Sequence, residues 1–339
     1  MKLPPFLAEI GLLVLVWRAI RRQYGDAAAA WACSAFWVNP SMMLAGPILG
    51  YLDPLMALPA LWSIVAAASG SSFAAGALLA VAYLTKAQAV FVIPVVAVTS
   101  WTAGRARSVA LMASGAAIVS ALVLAPFVAA GAWRNVLQGV GSLLRHDMLS
   151  ADAANLWWIV TYVMRAVYAV HDLGVWGAWT MTVRILGISR IVELGYPNPR
   201  PLATAAVVMA SVWALWRVRH ERGLTVLAAS AAFIVHAYFV LGVQVHENHL
   251  YLAVPLLAVA AAVHRSLRPV FFGVSAVFAL NLFLFFGLGR DVPLPPRNLT
   301  ILDTTVLVAV ANCALVIVHA RRLAGLESPV LQPAQPAAP

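Results

Sequence analysis

The densest group of ionisable side chains is His246-Glu247-Asn248-His249, set between two apolar runs. Ionisable groups at a membrane usually face a cavity and mark a site. His246 and His249 stand three residues apart, so on a helical turn they share a face. They could hold a divalent metal or a phosphate; equally, the four residues could be a polar loop cap. Position 250 is Leu, so the metalloprotease pattern H-E-x-x-H is absent. Lys86 lies between two further apolar runs. It reads either as a phosphate-binding cation or as an interface lysine whose stem lies along apolar surface. Asp53 follows Gly50-Tyr51-Leu52 and precedes Pro54. It reads either as part of a site or as a helix N-cap. His146-Asp147 and Asp152 occupy a long segment before Asn155-Leu156-Trp157-Trp158, and the Trp pair fits an interfacial anchor. Arg184, Arg190 and Arg200 could grip phosphate oxygens bidentately or be ordinary loop charges. No phosphate-binding glycine loop, nucleophile elbow or Cys-x-x-Cys is present.

The elements that must position these groups are apolar. The chain is 63% hydrophobic and only 10% charged, with a mean hydropathy of +0.89. A soluble fold of 339 residues could not hide that much apolar surface. A bilayer solvates the outer face instead, and each crossing then needs about 20 apolar residues. The backbone must satisfy itself in lipid, which leaves helices or closed barrels. The long unbroken apolar runs exclude the short alternating segments of a barrel. The expected fold is therefore an all-α polytopic membrane helix bundle. The runs fall near 5–20, 27–48, 54–70, 72–85, 88–102, 108–131, 201–217, 224–243, 249–264, 269–288 and 301–320. Two weaker runs lie in 153–190, interrupted by Arg165, His171, Asp172 and Arg184. The expectation is about 11–13 crossings. Residues 1–324 then form the membrane domain, and the Pro- and Ala-rich 325–339 a disordered cytoplasmic tail.

The net charge of +10 does not mark a nucleic-acid partner. The basic residues cluster between runs, as Arg18/Arg21/Arg22, Arg105/Arg107, Arg217/Arg219/Arg222, His264/Arg265/Arg268 and Arg321/Arg322. With these clusters cytoplasmic, the spans alternate without conflict. The loops at 50–54, 85–88, 132–155 and 244–249 then face outside, and with them Asp53, Lys86, Asp147, His246, Glu247 and His249. Cys33 and Cys313 lie inside apolar runs, which argues against a disulfide framework or zinc site. This parity places the N-terminus outside, with no preceding span to carry it there.

Four short segments carry a resemblance. Asn39-Pro40 … Gly50-Tyr51-Leu52-Asp53-Pro54-Leu55 resembles the "NP … G-x-x-D-x-L" segment of GT-C superfamily glycosyltransferases. Leu84-Thr85-Lys86-Ala87-Gln88-Ala89 … Pro94 resembles their "L-T-K-x-Q-x … P" segment, and Asn155-Leu156-Trp157 their "N-L-W" segment. Val245-His246-Glu247-Asn248-His249-Leu250-Tyr251 … Pro255 is similar to their late "H-E-x-x-L … P" segment. The four occur in the family's order across roughly residues 1–290.

The resemblance implies a GT-C-like membrane bundle in the cell membrane with an extracytoplasmic site. Such an enzyme transfers a hexose, mannosyl or glucosyl, from a polyprenyl-phosphate donor to a lipid-linked or protein acceptor. Lys86, His246, Glu247, His249 and Arg200 would lie near the donor phosphate or sugar, and Asp53 would shape the same cavity. The chemistry implied is inverting transfer, with a carboxylate as general base and cations holding the leaving phosphate. The family's acidic residue lies in the first outer loop, and this chain begins at what resembles the end of that loop. The expectation is thus an N-terminally incomplete member or one without normal activity. Asp53, Asp147 and Glu247 are the remaining carboxylate candidates. No cofactor is implied beyond a divalent metal that the site could admit. The rival readings are a transporter or lipid flippase, whose signs would be repeats and broken helices, and a non-catalytic scaffold subunit.

Overall fold

The structure is a computed structural model that describes residues 2–142, 149–170, 199–286, 298–299 and 302–326. It is a multi-span, all-α membrane protein. Among the described residues, six helical stretches are long and apolar enough to cross a membrane, and three shorter apolar helices accompany them.

The N-terminal part comprises α1 (Leu3–Tyr24), α2 (Asp26–Trp37), the short α3 (Pro40–Met43), a π turn (Leu44–Ile48), α4 (Asp53–Ala68) and α5 (Ser72–Thr85). A 3-10 turn (Ala87–Val92) leads into α6 (Ile93–Ala129), followed by α7 (Trp133–Ser142) and α8 (Leu156–Val170). The C-terminal part comprises α9 (Arg200–Val218), α10 (Leu224–Leu241), α11 (Ala253–Val263), α12 (Arg268–Phe286) and α13 (Thr304–Ala324). Two pairings of two-residue strands are the only β-sheet among the described residues; one is parallel, between β1 (Ser150–Ala151) and β2 (Val245–His246).

The expected count of 11–13 crossings is not reproduced as long helices. Run 27–48 folds as α2, α3 and the π turn, because Pro40 and Pro47 interrupt it. Runs 54–70, 72–85 and 249–264 become helices of 16, 14 and 11 residues. At about 1.5 Å per residue these fall short of a roughly 30 Å hydrocarbon core. The expected separation of 88–102 from 108–131 is present. Gly104 and Arg105 leave helical geometry, with Arg105 at φ 50°, and split α6 at the basic pair. α6 packs with α5, the limb after Arg105 in close contact. Gly76 faces the Met112 carbonyl and Gly115 the Phe73 carbonyl, so a side chain at either position would strike backbone. Close approach through small residues is how helices associate where lipid removes the hydrophobic drive. The tail beyond 326 and residues 171–198, which hold Arg184 and Arg190, lie outside the described residues.

The core sits around α10 and α11, both apolar on every side and almost wholly buried. Its few polar groups are paired across helices. His236 on α10 bonds His319 of α13 through the two Nδ1 atoms at 3.2 Å and Asn312 Oδ1 through Nε2 at 2.9 Å. Asn312 Nδ2 donates to the Ala154 carbonyl at 2.9 Å, which fixes its amide orientation. His236 Nε2 therefore carries the proton that Asn312 accepts. Trp157 and Trp158 are buried and do not serve as interfacial anchors. Their indole N–H groups donate to the Leu241 carbonyl and to Thr305 Oγ1, both at 2.7 Å, and so tie α8 to α10 and α13.

Candidate functional site

Three separate chain segments meet at one end of the bundle. The turn 49–52 feeds α4. The end of α5 delivers Lys86 in an extended conformation. The α10–α11 connection forms a 3-10 turn, Glu247–Leu250, outside the helices.

Asp53 is fully buried at the first residue of α4. Lys86 Nζ lies 2.7 Å from its Oδ1. Asn248 Nδ2 donates to its Oδ2 at 3.0 Å. The N-cap position is Leu52, and no side chain caps the helix, so the capping reading of Asp53 is corrected. Its carboxylate is instead held by a cation and an amide. A buried charge must be compensated in this way or neutralised. Lys86 is one-quarter exposed. Its ammonium has three donors, and the Asp53 contact uses one.

Glu247 adjoins this pair and is also buried. Tyr51 O–H donates to its Oε1 at 2.9 Å. His246 Nδ1 is 3.9 Å from its Oε2. Burial pushes the Glu247 carboxyl up to about 7, opposed by the Tyr51 hydrogen bond and the charge of Lys86. Burial and the neighbouring Glu247 charge push the Tyr51 phenol well above its ordinary value, which keeps it a donor. The His246 backbone N–H reaches His249 Nδ1 at 3.4 Å, and Tyr238 Oη lies 3.0 Å from the same atom. That nitrogen is therefore an acceptor, and the proton sits on Nε2. Tyr238 is itself stacked on Phe91 at 3.9 Å between ring centroids.

A fourth segment clasps the turn. β1 pairs with β2, Gln244 N–H donates to the Leu149 carbonyl, and Asn155 Nδ2 to the Gly242 carbonyl. Asn281 of α12 then binds three backbone groups. It accepts from Ala154 N–H at 2.6 Å and donates to the carbonyls of Asp152 and Glu247, both at 3.3 Å. Asp152 is thereby brought close enough for its charge to act on Glu247 and Tyr51.

Asp53, Lys86, His246, Glu247 and His249 are thus gathered together. Arg200 begins α9, three residues before Ala203, which packs with Leu149 and Trp157. His146 and Asp147 lie outside the described residues. Tyr51 and Asn248 belong to segments that the sequence marks, whereas Tyr238 and Asn281 lie within the apolar runs 224–243 and 269–288. Asn281 lies in an otherwise apolar helix, and a lone amide there is the signal that could have revealed it. Among the described residues no three His, Cys, Asp or Glu side chains group as a metal centre. His246 and His249 do share a turn, but the His249 Nδ1 lone pair is already engaged.

A cation beside two carboxylates, one near neutrality, can bind an anion and exchange a proton. No family model matches the chain, and no curated protein matches it in sequence.

Proposed function

We propose that the chain is a GT-C-like integral-membrane glycosyltransferase. It moves a hexose from a polyprenyl-phosphate donor to a lipid-linked or protein acceptor at the extracytoplasmic face. The observation that carries this reading is the meeting of Lys86, Asp53 and Glu247 at one end of the bundle, from segments far apart in sequence. Lys86 holds the donor phosphate and stabilises the leaving charge. Asp53 orients that ammonium. Glu247, with a carboxyl near neutrality, is the candidate base for the acceptor hydroxyl.

Binding of a short-chain polyprenyl phosphate to the protein in nanodiscs tests the first role. Lys86→Ala should weaken binding by about 1.5–3 kcal/mol, the range of charge-assisted hydrogen bonds. Equal affinity in the variant would remove Lys86 from the donor site.

One observation favours a transporter instead. The buried His236–His319 pair lies within the bundle, where ionisable groups often mark ion paths. Proton-dependent solute uptake that is lost in His319→Phe, without hexose transfer in the native protein, would support that reading.

A further inference from the structure

The end of the bundle opposite the candidate site gathers arginines. α10 runs from Leu224 to the connection that carries His246 and Glu247. Its 18 residues set the two ends about 27 Å apart, at about 1.5 Å per residue. At the far end the α9–α10 turn reaches two other chain segments. Arg222 Nη2 donates to the Thr102 carbonyl of α6, and Arg217 Nη2 donates to the Ala324 carbonyl at the end of α13. Arg219 lies over the Trp216 ring at 3.8 Å and donates to the Trp216 carbonyl. Three basic clusters far apart in sequence are thereby joined: Arg105/Arg107, the turn itself and Arg321/Arg322. Within these segments Glu221 is the only acidic side chain among the described residues. A topology signal requires charge in each loop. It does not require the loops to be tied together.

The break in α6 adds a second observation. Arg105 stands at φ 50°, in the left-handed region that a residue with a side chain enters at a cost. Backbone outliers of this kind concentrate at binding and switch positions. Arg105 and Arg107 are both exposed, and among the described residues neither has a hydrogen bond or ion pair. The helices beside them are open to lipid. α9 touches α6, and Leu111 and Leu122 on one and Val212 on the other are exposed. Trp101 and Trp216, next to Thr102 and Arg217, are 52% and 63% exposed, as aromatic residues are at a membrane interface.

We propose that this end, between α6 and α9, binds an anionic phospholipid. Its phosphate oxygens accept from Arg107 and from the N–H groups of Arg222 that Thr102 leaves free, and its acyl chains lie along the exposed apolar faces of the two helices. The forked guanidinium matches phosphate oxygens, and clustered arginines at a membrane edge attract anionic headgroups. A zwitterionic phospholipid also brings an ammonium, which the arginines repel. A soluble polyanion would leave the apolar faces and both Trp rings unused. The proposal does not depend on sugar transfer, nor on which side of the membrane this end faces.

The test uses the full chain in detergent, with bound lipid counted by native mass spectrometry. Phosphatidylglycerol and phosphatidylcholine with the same acyl chains are compared. Phosphatidylglycerol should bind about tenfold more tightly or better. Arg107→Gln breaks no contact of the fold and should weaken that binding about fivefold, the worth of one arginine beside an anionic headgroup. Arg107→Gln/Arg222→Gln should weaken it further. Arg18→Gln/Arg22→Gln removes equal charge from α1, whose Tyr24 meets Thr225 at the same end. It should change the binding less than about twofold, because distant exposed charges are screened. Equal affinity for the two lipids, or unchanged binding in Arg107→Gln, would overturn the proposal. Equal losses in the two double variants would also overturn it, by showing diffuse charge in place of a site. Displacement of the lipid by an oligonucleotide at equal concentration would assign the surface to a soluble polyanion and overturn it likewise.

Discussion

Lys86 Nζ and Asp53 Oδ1 sit 2.7 Å apart, although 33 residues separate them. Asp53 is fully buried and Lys86 is not. The pair therefore has an inner, fixed anion and an outer cation that a ligand can reach.

Breaking such a pair strands the buried member. Lys86→Met should destabilise the protein by about 2–4 kcal/mol, below the full buried-pair cost because Lys86 keeps some solvent. The double variant Asp53→Asn/Lys86→Met should recover at least half of that loss. A double-mutant cycle of thermal unfolding in detergent measures this. Additive effects would mean that the two charges are not coupled.

The pH dependence follows from Glu247. Its folded-state carboxyl titrates near 7 and its unfolded-state carboxyl near 4.5. Between these values the folded protein binds more protons than the unfolded chain. Stability contributed by this group is full below about pH 4.5 and falls as pH rises through about 7. Melting temperatures taken across this window should show a declining component that Glu247→Gln removes. An identical slope in the variant would assign the decline to another group.

The basic clusters motivate a proposed orientation that can be checked directly. Reporter fusions after Arg107, Arg222 and Arg322 should read cytoplasmic, and those near Gly50 and Asn248 should read outside. The close packing of residues 53, 86 and 247 already requires one side for the last two loops. A shared side for Arg107 and Asn248 would remove the extracytoplasmic assignment.

The break at Gly104–Arg105 was legible because two basic residues interrupt an apolar run. The polarity of the loops at 50–54, 85–88 and 244–249 was legible for the same reason. Their meeting was not. It depends on how α4, α5 and α10 pack, and apolar runs that are hydrophobic on every side carry no facing information. Glu9 lies inside the apolar run 5–20, and a carboxylate within such a run is itself a signal. Asn281, Asn312 and His236 are hidden likewise, each flanked on both sides by apolar residues within its run. The Trp pair looked like an anchor because composition does not reveal that Leu241 and Thr305 supply partners for both indoles.

Sugar transfer itself is the most direct measurement. The reconstituted protein, given radiolabelled polyprenyl-phosphate mannose or glucose and an envelope glycan extract, should move label to an acceptor. Glu247→Gln should lower that rate by about 10²–10⁴-fold, the worth of a general base, while donor binding persists. No transfer from either donor, or an unchanged rate in Glu247→Gln, would contradict the assignment of this cluster as a glycosyl-transfer site with Glu247 as its base.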